Sequence, residues 1–71
     1  MDRDNAYLVL VGNNLRKKRD EFGMSQQELA DNCNVAKSTI QRIEKGSLNP
    51  SVTTIKAISE VLNISISDLL G

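Results

Sequence analysis

Five polar residues, Lys37, Ser38, Gln41, Arg42 and Lys45, recur at a spacing that places them together on one side of a helix. Positions 37, 41 and 45 form one row four residues apart and 38 and 42 a second, while Ile40 and Ile43 fall on the opposite side. The types suit hydrogen bonding to the edges of base pairs. The Arg42 guanidinium or the Lys37 ammonium can donate to guanine O6 and N7, the Gln41 carboxamide can pair with adenine N6 and N7, and Ser38 is a short donor or acceptor. The plain alternative is a solvated helix surface. Lys37 argues against it, because a cation in the first turn of a helix is disfavoured by ~0.3 to 1 kcal/mol and gains more facing phosphate or guanine than facing water. Catalysis finds no foothold in the sequence: there is no histidine, one cysteine, no nucleophile beside a base and no phosphate-cradling glycine loop. The chain is read as a non-enzyme with no metal and no cofactor.

Two short helices must hold that row. The first opens at Ser25, whose hydroxyl can accept from the N–H of Glu28 while Glu28 reaches back, a capping box set directly before Leu29 and Ala30. The second spans about Ala36 to Lys45 and stops at Gly46. Between them lie only Asn32, Cys33, Asn34 and Val35, with Asn34 where the turn asks for positive φ, a conformation that asparagine tolerates best after glycine. Two short helices joined by so tight a turn have the layout that lays a helix into the major groove of DNA. A longer helix precedes them, about Ala6 to Glu21, with Val11, Leu15 and Phe22 on one side and Gly23 as its stop; Tyr7 to Val11 also reads as a short strand. After Pro50 a fourth helix carries Val52, Ile55, Ile58 and Leu62 and ends at Asn63, with Ser51 as its cap. A short fifth helix follows Ser65, whose capping box is completed by Asp68, with Ile66, Leu69 and Leu70 as its apolar surface.

From about Val11 to Leu70 the chain resembles the phage repressor/Cro-like helix-turn-helix proteins, also called the xenobiotic-response-element family. The resemblance lies in S-Q-Q-E-L-A at Ser25 to Ala30, V-A-K-S-T-I-Q-R-I-E-K-G at Val35 to Gly46, Asn49-Pro50-Ser51, and I-S-I-S-D-L-L at Ile64 to Leu70. The chain departs from the pattern at Asn34, where glycine is usual, at Ala36, where a capping serine or threonine is usual, and at Lys18, where an apolar residue is common. The resemblance implies an all-α, compact five-helix lambda-repressor-like domain covering 1–71, with the helix-turn-helix at about 26–45. It implies that the third helix reads bases through Lys37, Ser38, Gln41 and Arg42. Gln26 and Gln27, in the first turn of the second helix, would meet a phosphate there. Ser47, Asn49 and Ser51, with the charge of Lys45, would clamp the backbone a second time. Arg19 and Glu44 match positions that form an ion pair between the first and third helices and so would orient the reading helix. The function implied is a sequence-specific transcriptional regulator, a dimeric repressor on a two-fold operator with half-sites about one turn, roughly 34 Å, apart. The rival reading is an antitoxin-like or adaptor protein whose main partner is another protein, such as a toxin, docked on the apolar amino-terminal run.

Composition sets bounds on both readings. Seventy-one residues allow one domain, and a chain of this size buries only about 60% of its unfolded surface, which favours dimerisation. Ile64, Ile66, Leu69 and Leu70 form one candidate dimer surface, and Tyr7 to Leu10 another. Net charge is zero, yet Arg16, Lys17, Lys18, Arg19, Lys37, Arg42 and Lys45, seven of nine basic residues, fall on the first and third helices, while Asp2, Asp4, Glu60 and Asp68 lie towards the ends. No apolar stretch approaches the ~18 residues of a membrane span, so the expected setting is the cytoplasm, and the resemblance implies a bacterial, phage or mobile-element origin. Cys33, four residues after Leu29, is expected in the core.

Overall fold

The structure, a computed structural model, describes residues 3–71, with side chains described from Ala6 onward. Five helices follow one another: α1 Arg3–Phe22, α2 Gln26–Cys33, α3 Lys37–Glu44, α4 Val52–Leu62 and α5 Ile66–Leu70. No strand occurs among the described residues, and Tyr7 to Val11 are helical. The strand propensity of that apolar run is overridden by the helical spacing of Val11 and Leu15, both buried on one face of α1. Asp2 lies outside the described residues, and Asp4 is described by its backbone alone.

Local chemistry fixes the helix ends. Ser25 Oγ accepts from Glu28 N at 3.0 Å while Glu28 Oε1 accepts from Ser25 N at 2.9 Å, and Ser65 with Asp68 repeats the arrangement at α5. α2 ends on Asn34 at φ +60° and α4 on Asn63 at φ +56°, each with its N–H bonded back to the last turn. Ser51 caps α4 through Thr54 N at 3.2 Å. α3 is the exception, since Ala36 has no side chain to cap it.

Around one core Val11, Leu15, Leu29, Ala30, Cys33, Ile40, Ile43, Ile55, Ile58, Leu62 and Leu69 are buried. α3 packs on both α1 and α2, α4 on α2, and α5 closes the molecule against α1 and α4. Two contacts set the depth of that packing. Gly12 lies so close to the last turn of α3 that a Cβ there would stand 2.4 Å from Ile43 O and 2.7 Å from Glu44 O. Asn14 Nδ2 donates to Leu69 O at 2.9 Å and ties α5 to α1.

Two expected core residues lie outside. Phe22 is 52% exposed, because the apolar row of Val11 and Leu15 passes next to Arg19, whose guanidinium closes the edge of the core, and Phe22 falls beyond it at the last position of α1. Val52 is 81% exposed, since it is the first residue of α4 and only the loop precedes it. In the expected α5 surface Leu69 is fully buried, which leaves Ile66 and Leu70 exposed.

Candidate nucleic-acid interface

Burial divides α3 cleanly. Ile40 and Ile43 are 0% and 1% exposed, whereas Lys37, Ser38, Arg42 and Lys45 are exposed and Gln41 is half-buried. Among the described ion pairs none involves Lys37, Arg42 or Lys45, so the three cations of this helix region are not neutralised by neighbouring carboxylates. The uncapped start of α3 leaves its first N–H groups without a side-chain acceptor, beside Lys37.

The orientation of this helix is set by a partly buried network at its other end. Arg19 Nε donates to Glu44 Oε2 at 2.6 Å and Nη2 donates to Glu44 Oε1 at 3.2 Å, a two-pronged ion pair, while Arg19 Nη1 donates to Met24 O at 2.7 Å. The Arg19 and Glu44 side chains are only 11% and 4% exposed. Hydrogen bonding to Glu44 raises the Arg19 pKa above its ordinary value, against the opposing effect of burial, so the guanidinium stays charged. Gln26, from the first turn of α2, joins the same carboxylate: its Nε2 donates to Glu44 Oε1 at 2.9 Å.

The other residues implied as phosphate contacts divide by what their side chains already do. Gln27 is exposed and donates to Asp31 Oδ1 at 2.8 Å. Ser47 Oγ donates to Arg42 O at 3.2 Å, which anchors the loop after α3 to the helix itself. The Ser51 hydroxyl is engaged as the α4 cap and donates to Thr54 Oγ1 at 3.0 Å. Asn49 is exposed on the loop between them. The structure thus places Lys37, Ser38, Gln41 and Arg42 on one helix and links Gln26, Arg19 and Glu44 through one carboxylate. Ser47 is bonded to the end of that helix, whereas Ser51 belongs to α4.

Sequence reading missed the Gln26 to Glu44 bond, the close approach at Gly12 and the Asn14 bond to α5. Gly12 alone carries a signal, since a glycine inside a helix forgoes ~1 kcal/mol relative to alanine and so marks a backbone contact. The thiol of Cys33 is buried, which pushes its pKa up and keeps it protonated and unreactive in the folded chain.

Residues 15–69 match the helix-turn-helix family. An uncharacterized HTH-type transcriptional regulator of Archaeoglobus fulgidus is 42% identical over 55 residues, covering 78% of this chain and 79% of the relative. The immunity repressor protein of Bacillus phage phi105 is 33% identical over 63 residues, 89% of this chain and 44% of the relative. Among solved structures, the restriction-modification controller protein C.AhdI from Aeromonas hydrophila superposes with a TM-score of 0.87 at 33% identity, covering 90% of this chain and 97% of that one. Other matched regulators are longer, and this chain spans 21% to 57% of their length.

Proposed function

Because the chain belongs to the helix-turn-helix family, we propose that it is a sequence-specific DNA-binding regulator of transcription, a single domain that inserts α3 into the major groove. One observation carries the reading: α3 buries Ile40 and Ile43, presents Lys37, Ser38, Arg42 and the half-buried Gln41 on the other side, and is held at its far end by Arg19 and Glu44. A helix so anchored presents its polar row in one orientation, as reading base edges requires. Gln26, Gln27, Lys45, Ser47 and Asn49 would meet the backbone on either side, Gln27 by exchanging its bond to Asp31. Ser51 would contribute through the start of α4 and not through its hydroxyl, which is already bonded.

A second copy of the chain completes the proposal, as a dimeric repressor on a two-fold site. The two candidate dimer surfaces come together at one point, which supports a single interface. A Cβ on Gly71 would lie 3.2 Å from Leu10 Cδ2, so the C-terminal end of α5 adjoins Leu10 on α1, and Tyr7, Leu10, Ile66 and Leu70 are each between 36% and 45% exposed. Selection from randomised duplex oligonucleotides with the purified chain tests the whole reading: an enriched palindrome with half-sites about one helical turn apart is expected. Recovery of unenriched sequence would overturn it.

The same exposed apolar surface supports the rival, a docking protein whose main partner is another chain such as a toxin. That reading expects no enriched sequence and a stable complex with the product of a neighbouring gene. None of the described helices is long and apolar enough to cross a membrane.

A further inference from the structure

Glu44 accepts more than an ion pair needs. Its Oε2 takes Arg19 Nε, but its Oε1 takes both Arg19 Nη2 at 3.2 Å and Gln26 Nε2 at 2.9 Å. A carboxylate has no proton to give, so only the nitrogen end of the Gln26 carboxamide can face it, and the amide flip is set by chemistry. One N–H is used inward, and the second is left directed away from Glu44. A phosphate oxygen also only accepts, so the outward N–H is the useful one there.

We propose that Glu44 is a positioning residue for backbone contact: it holds the Gln26 carboxamide with one N–H free for a DNA phosphate, which makes the α1–α3 ion pair and the α2 clamp a single unit. The inference rests on the DNA-binding reading. It explains why the glutamine at this exposed helix start is half-buried, and it gives the pair a purpose that a net stabilisation alone does not supply, since a buried ion pair is often replaceable by apolar residues at little loss.

The test is a double-mutant cycle with wild type, Gln26→Ala, Glu44→Gln and the double variant, titrated at low salt against a short fluorescent duplex of arbitrary sequence. Gln26→Ala is expected to weaken binding roughly 3- to 10-fold, the scale of one net hydrogen bond on a pre-ordered side chain. Glu44→Gln offers either an oxygen or an N–H, accepts either flip, and is expected to lose a comparable factor. The double variant is expected to lose no more than the larger single loss. Multiplied losses would overturn the inference, because a Glu44 that merely supports the fold acts regardless of residue 26. Should Glu44→Gln fail to fold, the wild-type chain decides by NMR. One Nε2 proton of Gln26 is then expected downfield of its random-coil position and slow to exchange with solvent while the other exchanges freely, and two protons at random-coil shifts with equal, fast solvent exchange would overturn it. Failure of the wild type to bind any duplex removes the functional reading and this inference with it, whereas binding with multiplied losses removes this inference alone.

Discussion

Replacing Gly12 by alanine isolates the contact that seats α3 on α1. In a solvent-exposed helix the change would stabilise by ~1 kcal/mol, because alanine is the better helix former. Here the new methyl would stand 2.4 Å from Ile43 O and 2.7 Å from Glu44 O, and both obstacles are backbone atoms that have no rotamer to escape into. The last turn of α3 must move outward, and forcing one extra carbon into a packed site costs about 1 to 3 kcal/mol, occasionally more. The displacement also strains the bond of 2.6 Å between Arg19 and Glu44, because Glu44 is the residue pushed. A net loss of ~2 kcal/mol is expected, which in a domain of this size lowers the melting temperature by roughly 8 to 16 °C. Thermal and urea unfolding followed by circular dichroism measures it. Gly23→Ala is the control, because its Cβ would meet nothing within 4 Å while its φ of +86° penalises a side chain by ~1 kcal/mol. A Gly12→Ala variant that melts at or above the wild type, or that is less harmful than Gly23→Ala, would refute the close-approach account.

Four further outcomes follow from the same geometry. Ile40→Ala, at a fully buried site, should cost ~2 to 5 kcal/mol and can unfold the chain, whereas Gln41→Ala should leave the melting temperature nearly unchanged and weaken binding to the selected site; a large loss of stability in Gln41→Ala would show that the phase of α3 is wrong. Affinity for duplex DNA should fall by ~0.9 log units per released counterion for each log unit of salt, and a flat response would remove the phosphate contacts. Arg42→Ala should lower affinity for the cognate site by ~1 to 3 kcal/mol and relax preference at one base pair, with Lys37→Ala doing the same or weakening all sequences alike; competition against every single-base variant separates base from backbone contact. Cys33 is protonated in both folded and unfolded chains below its ordinary pKa of about 8.5. As pH rises past that value the unfolded chain loses its proton first, so the urea midpoint of the wild type should fall between pH 8 and pH 10 by more than that of Cys33→Ala.

What could be read from sequence was what local chemistry controls. The capping boxes at Ser25 and Ser65, the left-handed Asn34 and the stop at Gly46 each depend on a residue and its neighbours within a turn, and the structure has all four. The phase of α3 was legible because Ile40 and Ile43 stand alone among polar residues. Periodicity failed where it could not see a neighbour: Phe22 and Val52 lie on apolar rows but at helix ends with no element over them. The Gln26 bond to Glu44 joins residues 18 apart through side chains whose types suit a solvated surface equally well, so no pattern in the sequence announces it.

The bond from Asn14 to Leu69 O spans 55 positions of chain. Because α1 receives α3 at Gly12 and α5 at Asn14, the first helix is a platform shared by two elements distant from each other in the chain. Docking α5 on α1 therefore closes a longer loop, at a larger entropic cost, than the contacts between neighbouring helices of this fold. A chain cut before residue 66 would lose Leu69 from the core together with the Asn14 bond, and would open to proteases more readily than the intact chain.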